Sequence, residues 1–165
     1  MKTVHYLCLI IILSLILLPV EIYSQTSQPK IENLTKQADV ILTGKVIEQK
    51  SEWNNNQTRI FTQSTIQVDE YLKGNEVNKS ITITTPGGEV GDVGELYTHM
   101  PKFTKEEDVL LFVKKDKNNT AYKILDGEDG KLTLVKNEKT GELVTSSNKR
   151  VSSLKSEIKS YVEKE

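Results

Sequence analysis

The residues whose types and spacing could do chemistry lie in one stretch, Pro86 to Pro101. There Gly88, Gly91 and Gly94 recur every third position among Glu89, Asp92 and Glu95, with His99 following. Carboxylates on a glycine-rich loop can meet around a hard cation such as calcium, which accepts oxygen ligands from flexible segments. A solvated loop whose acids face water is the simpler reading, and no metal is assigned. The stretch is not a phosphate loop, because no Gly-Lys-Ser/Thr follows, and not a dinucleotide fingerprint, because no helical pattern follows. Apart from His5 near the N-terminus, His99 is the only histidine, and a lone imidazole makes a poor zinc site. A hydrolase built on His99 would want a nucleophile elbow of the form Gly-x-Ser-x-Gly, which the chain lacks. Gly88, Glu89, Asp92, Glu95 and His99 are therefore ligand-binding candidates. No catalytic group and no cofactor is expected.

Charge narrows the partners. With 22 basic and 23 acidic residues the formal net charge is -1, far from the basic excess of a protein that neutralises phosphate backbones. Lys2, an apolar run from Tyr6 to Val20, and Ser24 before Gln25 form the pattern of a signal peptide over residues 1–24. The expected location is extracytoplasmic, secreted or associated with the envelope, with no stable membrane contact after cleavage. An uncleaved N-terminal anchor is the alternative. The single cysteine, Cys8, falls inside that segment, so the folded domain must be held by burial and strand pairing without disulfides.

The elements that position the candidate residues follow from periodicity. After a polar leader, Ile31, Leu34 and Ala38 have helical spacing, which predicts a short helix within residues 25–37. Val40 to Trp53 is rich in β-branched residues and predicts a strand, with Gly44 as a bulge or bend. Asn54 to Gln57 makes a hairpin tip, and Arg59 to Tyr71 returns with Ile60, Thr62, Ser64, Ile66 and Val68 on one face. Ile81 to Thr85 alternates as a third strand. Pro86 to Pro101 then reads as the longest loop, without helix or central strand. Val109 to Val113 is apolar on both faces, so a central strand covered on both sides is expected. Tyr122 to Leu125 and Leu132 to Val135 read as a hairpin around Asp126 to Gly130, with a last short strand over Glu142 to Thr145. Val151, Leu154, Ile158, Tyr161 and Val162 predict a C-terminal amphipathic helix within 147–165, capped by Ser152 or Ser153. Trp53, Phe61 and Tyr71 could stack as a platform, but core and flank packing is the preferred reading.

Several segments in order carry a resemblance: Ala38-Asp39-Val40, Gly44-Lys45-Val46, Val68 followed by Tyr71-Leu72-Lys73-Gly74, Thr85-Pro86-Gly87-Gly88, and Phe103 followed by Glu107 to Val113. Together they resemble exported microbial β-barrel domains and the netrin-like module of the tissue inhibitors of metalloproteinases. The resemblance implies a mainly β fold, an OB-like barrel of five to seven strands over residues 38–146 with flanking helices. Those inhibitors grip a catalytic zinc through an N-terminal cysteine, which has no counterpart beyond Cys8, so that mechanism is not carried over. The expected function is a noncatalytic extracytoplasmic binding domain whose partner is an extracellular or envelope protein or a glycan, with no nucleic acid. The alternatives are an extracellular protease inhibitor presenting the 86–101 loop and, behind it, a hydrolase using His99.

Overall fold

The computed structural model describes residues 31–74, 77–116 and 121–164. The expected signal segment and the polar leader, Gln25 to Pro29, lie outside the described residues. In chain order the elements are α1 (Ile31–Gln37), β1 (Val40–Trp53), β2 (Ile60–Lys73), β3 (Ser80–Pro86), β4 (Gly88–Val90), β5 (Val93–Glu95), β6 (Asp108–Lys115), β7 (Tyr122–Ile124), β8 (Lys131–Lys136), β9 (Leu143–Thr145) and α2 (Val151–Val162). The protein is mainly β, and its centre is a closed five-stranded barrel of OB-like form.

Closure depends on β1, which is long enough to serve two partners. Ile41 to Trp53 pairs antiparallel with β2, while Val40 to Lys45 pairs on the opposite edge with Val113 to Asp108 of β6. The circuit continues from β2 to β3, crosses to β7 through the parallel bridge of Ile83 with Tyr122, and returns through β6. Sharing one strand between two edges requires strong coiling, and β1 supplies it with register shifts beside Leu42, Gly44 and Glu48. At Gly44 the strands come so close that an added Cβ would stand 2.3 Å from the Gln67 carbonyl oxygen and 3.0 Å from Ile66 Cγ2. Gly44→Ala is expected to destabilise the domain by about 1 to 3 kcal/mol, the usual cost of overpacking. Urea unfolding that moved by less than about 0.5 kcal/mol would show that the backbone yields there freely.

Two apolar layers follow from strand alternation. Val109, Leu111 and Val113 of β6 point into the barrel with Val40, Leu42, Val46, Ile66, Ile81, Ile83 and Phe103. Leu110 and Phe112 point outward, where Leu34, Ala38, Ile41, Leu72, Leu134, Val151, Leu154 and Ile158 cover them. The second layer seats both helices on one flank, and β6 is buried on both faces as its composition predicts. Lys155 and Lys159 of α2 reach Glu70 of β2, each at 2.8 Å.

Three expectations are corrected. Tyr122 to Leu125 and Leu132 to Val135 do not form a hairpin: β7 and β8 run in the same direction along one edge of β6, pairing with Val113 to Lys115 and Asp108 to Leu111 respectively. Between them Gly127–Gly130 makes a single 3₁₀ turn that bulges out of the strand instead of reversing it. The free edge of β6 decides the matter, because continuing along it satisfies more backbone groups than folding back. Secondly, the 86–101 segment contains the small antiparallel pair β4 and β5. Thirdly, Arg150, not Ser152 or Ser153, is the N-cap of α2, without a side-chain cap bond. Its bridge to Val144 delivers the chain directly into the helix so that Val151 can be buried.

Candidate functional site

Along the inner face of β2 the residues run Val68, Ile66, Ser64, Thr62, from apolar to hydroxyl. The change coincides with the end of the closed barrel, since β6 leaves β1 at Lys45 while the β1–β2 hairpin continues to Trp53 and Ile60. Beyond that point Gln49 and Ser51 of β1 and Thr85 of β3 face the same space. The segment from Pro86 to Phe103 arches over it, leaving a groove of about 770 Å³ at the barrel mouth. Barrel mouths are a recurrent place for ligand sites.

Hydrogen bonding fixes what the groove can offer. Thr62 Oγ1 donates its proton to the Gly87 carbonyl at 2.7 Å, so in its 2.9 Å contact with Ser51 Oγ it must accept. Ser51 is then the donor, and its oxygen keeps only accepting capacity for a ligand. Gln49 Nε2 donates to the Phe103 carbonyl at 2.9 Å and to Ser64 Oγ at 3.3 Å, which leaves its Oε1 as an acceptor. Glu89 and Glu95 add carboxylates, and Leu96 and Met100 add apolar surface. An acceptor-rich wall with apolar flanks suits a ligand that brings hydroxyl or N–H donors on a partly apolar body.

The arch is braced throughout. Gly87 N–H donates to the Ile60 carbonyl at 2.8 Å. Gly88, at a φ of 128°, lies directly on the hydroxyl pair: an added Cβ would stand 2.3 Å from Thr62 Oγ1 and 2.5 Å from Ser51 Oγ. Its backbone conformation and this close approach both call for glycine. The Arg59 guanidinium donates to Tyr97 OH and covers its ring, and Tyr97 OH donates to Glu95 Oε2 at 3.0 Å. The His99 carbonyl accepts from Glu128 N–H at 3.1 Å. At the far end Phe103 enters the barrel core.

Behind Phe103 lies a buried ion pair. Lys131 Nζ bonds Glu107 Oε1 at 2.7 Å and the Lys102 carbonyl at 2.6 Å, with side-chain exposures of 9% and 11% for the pair. Lys131 also stands 5.2 Å from the centre of the Phe103 ring. Burial alone would push the Glu107 carboxyl up; the bonds from Lys131, Thr133 and the Thr104 N–H outweigh it and hold the group below the ordinary carboxylate range. The pair clamps the Phe103 end of the arch.

The five residues singled out from sequence are divided by this geometry. Gly88, Glu89 and Glu95 line the groove, whereas Asp92 is exposed at the turn between β4 and β5 and His99 is exposed in a turn of its own, at a φ of 62°. Among the described residues no three of His, Cys, Asp and Glu gather in a way that could hold a metal ion. Trp53 and Phe61 sit at consecutive registers, opposite Ile60 and Glu52, and thus on opposite faces, while Tyr71 packs against the barrel core. Sequence reasoning passed over Gln49, Ser51, Thr62, Ser64 and Tyr97. The available signal was a stripe of inward-facing positions that turns from Ile and Val to Ser and Thr before the hairpin tip. The sequence matches no protein-family model and no curated protein.

Proposed function

We propose that this chain is an exported binding domain of the netrin-like type, which holds a glycan or a segment of an extracellular or envelope protein in the barrel mouth without transforming it. The observation that carries the reading is the acceptor-rich groove under a braced arch, a rigid wall prepared for a donor-bearing ligand. The netrin-like assignment is supported by the two helices seated on one barrel flank and by the order of the resembling segments. Export is supported by the N-terminal pattern of Lys2 and the apolar run to Val20. Two double variants test the site: Gln49→Leu with Glu89→Gln alters the groove, and Asp92→Asn with His99→Ala alters only the exposed turns. On arrays of envelope glycans and in capture from extracellular material, the first should lose signal at least about tenfold, equivalent to one or two lost hydrogen bonds. The second should match the native protein. The reverse ranking would move the binding determinant from the mouth to the turns.

A second reading is favoured by Leu96, which is 75% exposed on a segment anchored on both sides. A protruding, preorganised loop with an apolar tip is what a protease inhibitor presents to a cleft. If that is its role, Leu96→Asp abolishes inhibition of an extracellular protease while leaving unfolding unchanged. An absence of inhibition by the native protein across a protease panel would remove this reading.

A further inference from the structure

Among the described residues the β1–β2 hairpin leaves one sheet edge without a partner strand. Asn54 N–H bonds the Arg59 carbonyl, so Glu52 and Lys50, at alternate positions, also direct their backbone groups to β2. Gln49, Ser51 and Trp53 therefore direct theirs the other way. On that side the edge is occupied only as far as Val46, which exchanges bonds with Glu106 and Glu107 at 2.8 and 2.9 Å. Among the described residues no strand pairs with β1 beyond that point. A free edge of this kind is a template for another strand.

Its charges restrict what can pair with it. Lys50 and Glu52 form an exposed ion pair on the face away from the groove, with Glu48 on the same face. When the edge is set antiparallel against itself and centred on Ser51, Lys50 stands opposite Glu52 of the second copy, and Glu52 opposite its Lys50. Centring on Lys50 would oppose lysine to lysine and Glu48 to Glu52, and centring on Gln49 would drive Trp53 against Lys45, whose edge β6 already fills. Only the Ser51 register combines unlike charges with a clear edge. We propose that the β1 edge from Gln49 to Trp53 pairs with the same edge of a second copy in this two-fold arrangement. Opposed residues of an antiparallel pair share a face, so Trp53 of the second copy is placed beside Gln49, extending each groove wall with an aromatic side chain from the other copy.

The test is a charge swap read by sedimentation velocity over a range of concentrations of the purified protein. The native protein should show a concentration-dependent doubling of mass. Lys50→Glu alone and Glu52→Lys alone should each weaken association at least about tenfold by opposing like charges. The combined Lys50→Glu and Glu52→Lys variant should return to within about threefold of native, because unlike charges again face each other. Unfolding curves confirm that these exposed changes leave the fold intact. A native protein that remains monomeric at the highest concentration overturns the proposal and leaves the edge to a different chain. Single variants that associate like native place the contact elsewhere, and a swap that fails to restore association rules out the Ser51 register.

Discussion

Replacing Glu107 by Ala is expected to cost about 3 to 5 kcal/mol, because it leaves the Lys131 ammonium buried without its counter-charge. The partners are nearly withdrawn from solvent, and the carboxylate also accepts from Thr133 Oγ1 at 2.5 Å and from Thr104 N–H at 3.0 Å. Adding Lys131→Met should recover part of that loss, since the double variant no longer buries an unpaired charge. Equilibrium denaturation of the two variants checks both statements, and a double variant no more stable than Glu107→Ala would mean that packing of the lysine stem, not its charge, dominates. The same carboxyl links stability to pH. It is held below its unfolded value, so its contribution is complete above the ordinary carboxylate pKa of about 4.3 and disappears as pH falls through the depressed value. Glu70 is displaced in the same direction by hydrogen bonds from Lys155 and Lys159. Acid below about pH 4 should accordingly loosen the Phe103 end of the arch and the seat of α2 together. A stability that held constant from pH 6 to pH 3 would contradict this.

Leu111→Ala is expected to destabilise the domain by about 2 to 5 kcal/mol, the range for emptying a buried aliphatic site that cannot collapse. Leu111 is fully buried in the barrel interior, and its strand is held by β1 on one edge and by β7 and β8 on the other. That double pairing limits relaxation, which places the cost toward the upper part of the range. Denaturant unfolding measures it directly. A loss under about 0.5 kcal/mol would remove β6 from the centre of the barrel.

Legibility in the sequence followed how local each cause was. Val40 to Trp53 was readable at the bounds it adopts because a run of β-branched residues ending in an Asn-rich turn needs no tertiary information. Val109 to Val113 was readable as a doubly covered strand because both parities are apolar. The hairpin expected around Asp126 to Gly130 failed because Asp-Gly signals a local turn but not whether the chain reverses, and that depends on an open edge of β6. β4 and β5 were hidden because glycines that weaken a strand inside a domain are required where Gly88 rests on two hydroxyls. The groove itself was invisible for a topological reason. Thr62 and Ser64 are ordinary strand residues until β1 closes the barrel at Lys45 and leaves them at its mouth. Among the residues singled out, Glu89 and Glu95 border that mouth from opposite faces of a hairpin the composition did not announce.

The proposed place of binding is the barrel mouth. The most direct measurement is a backbone amide chemical-shift titration with the glycan or peptide recovered by array or capture. Shifts concentrated at Gln49, Ser51, Thr62, Ser64, Glu89 and Glu95 are the predicted result. Shifts confined to α1, α2 and the outer face of β6, with the mouth unmoved, would contradict it.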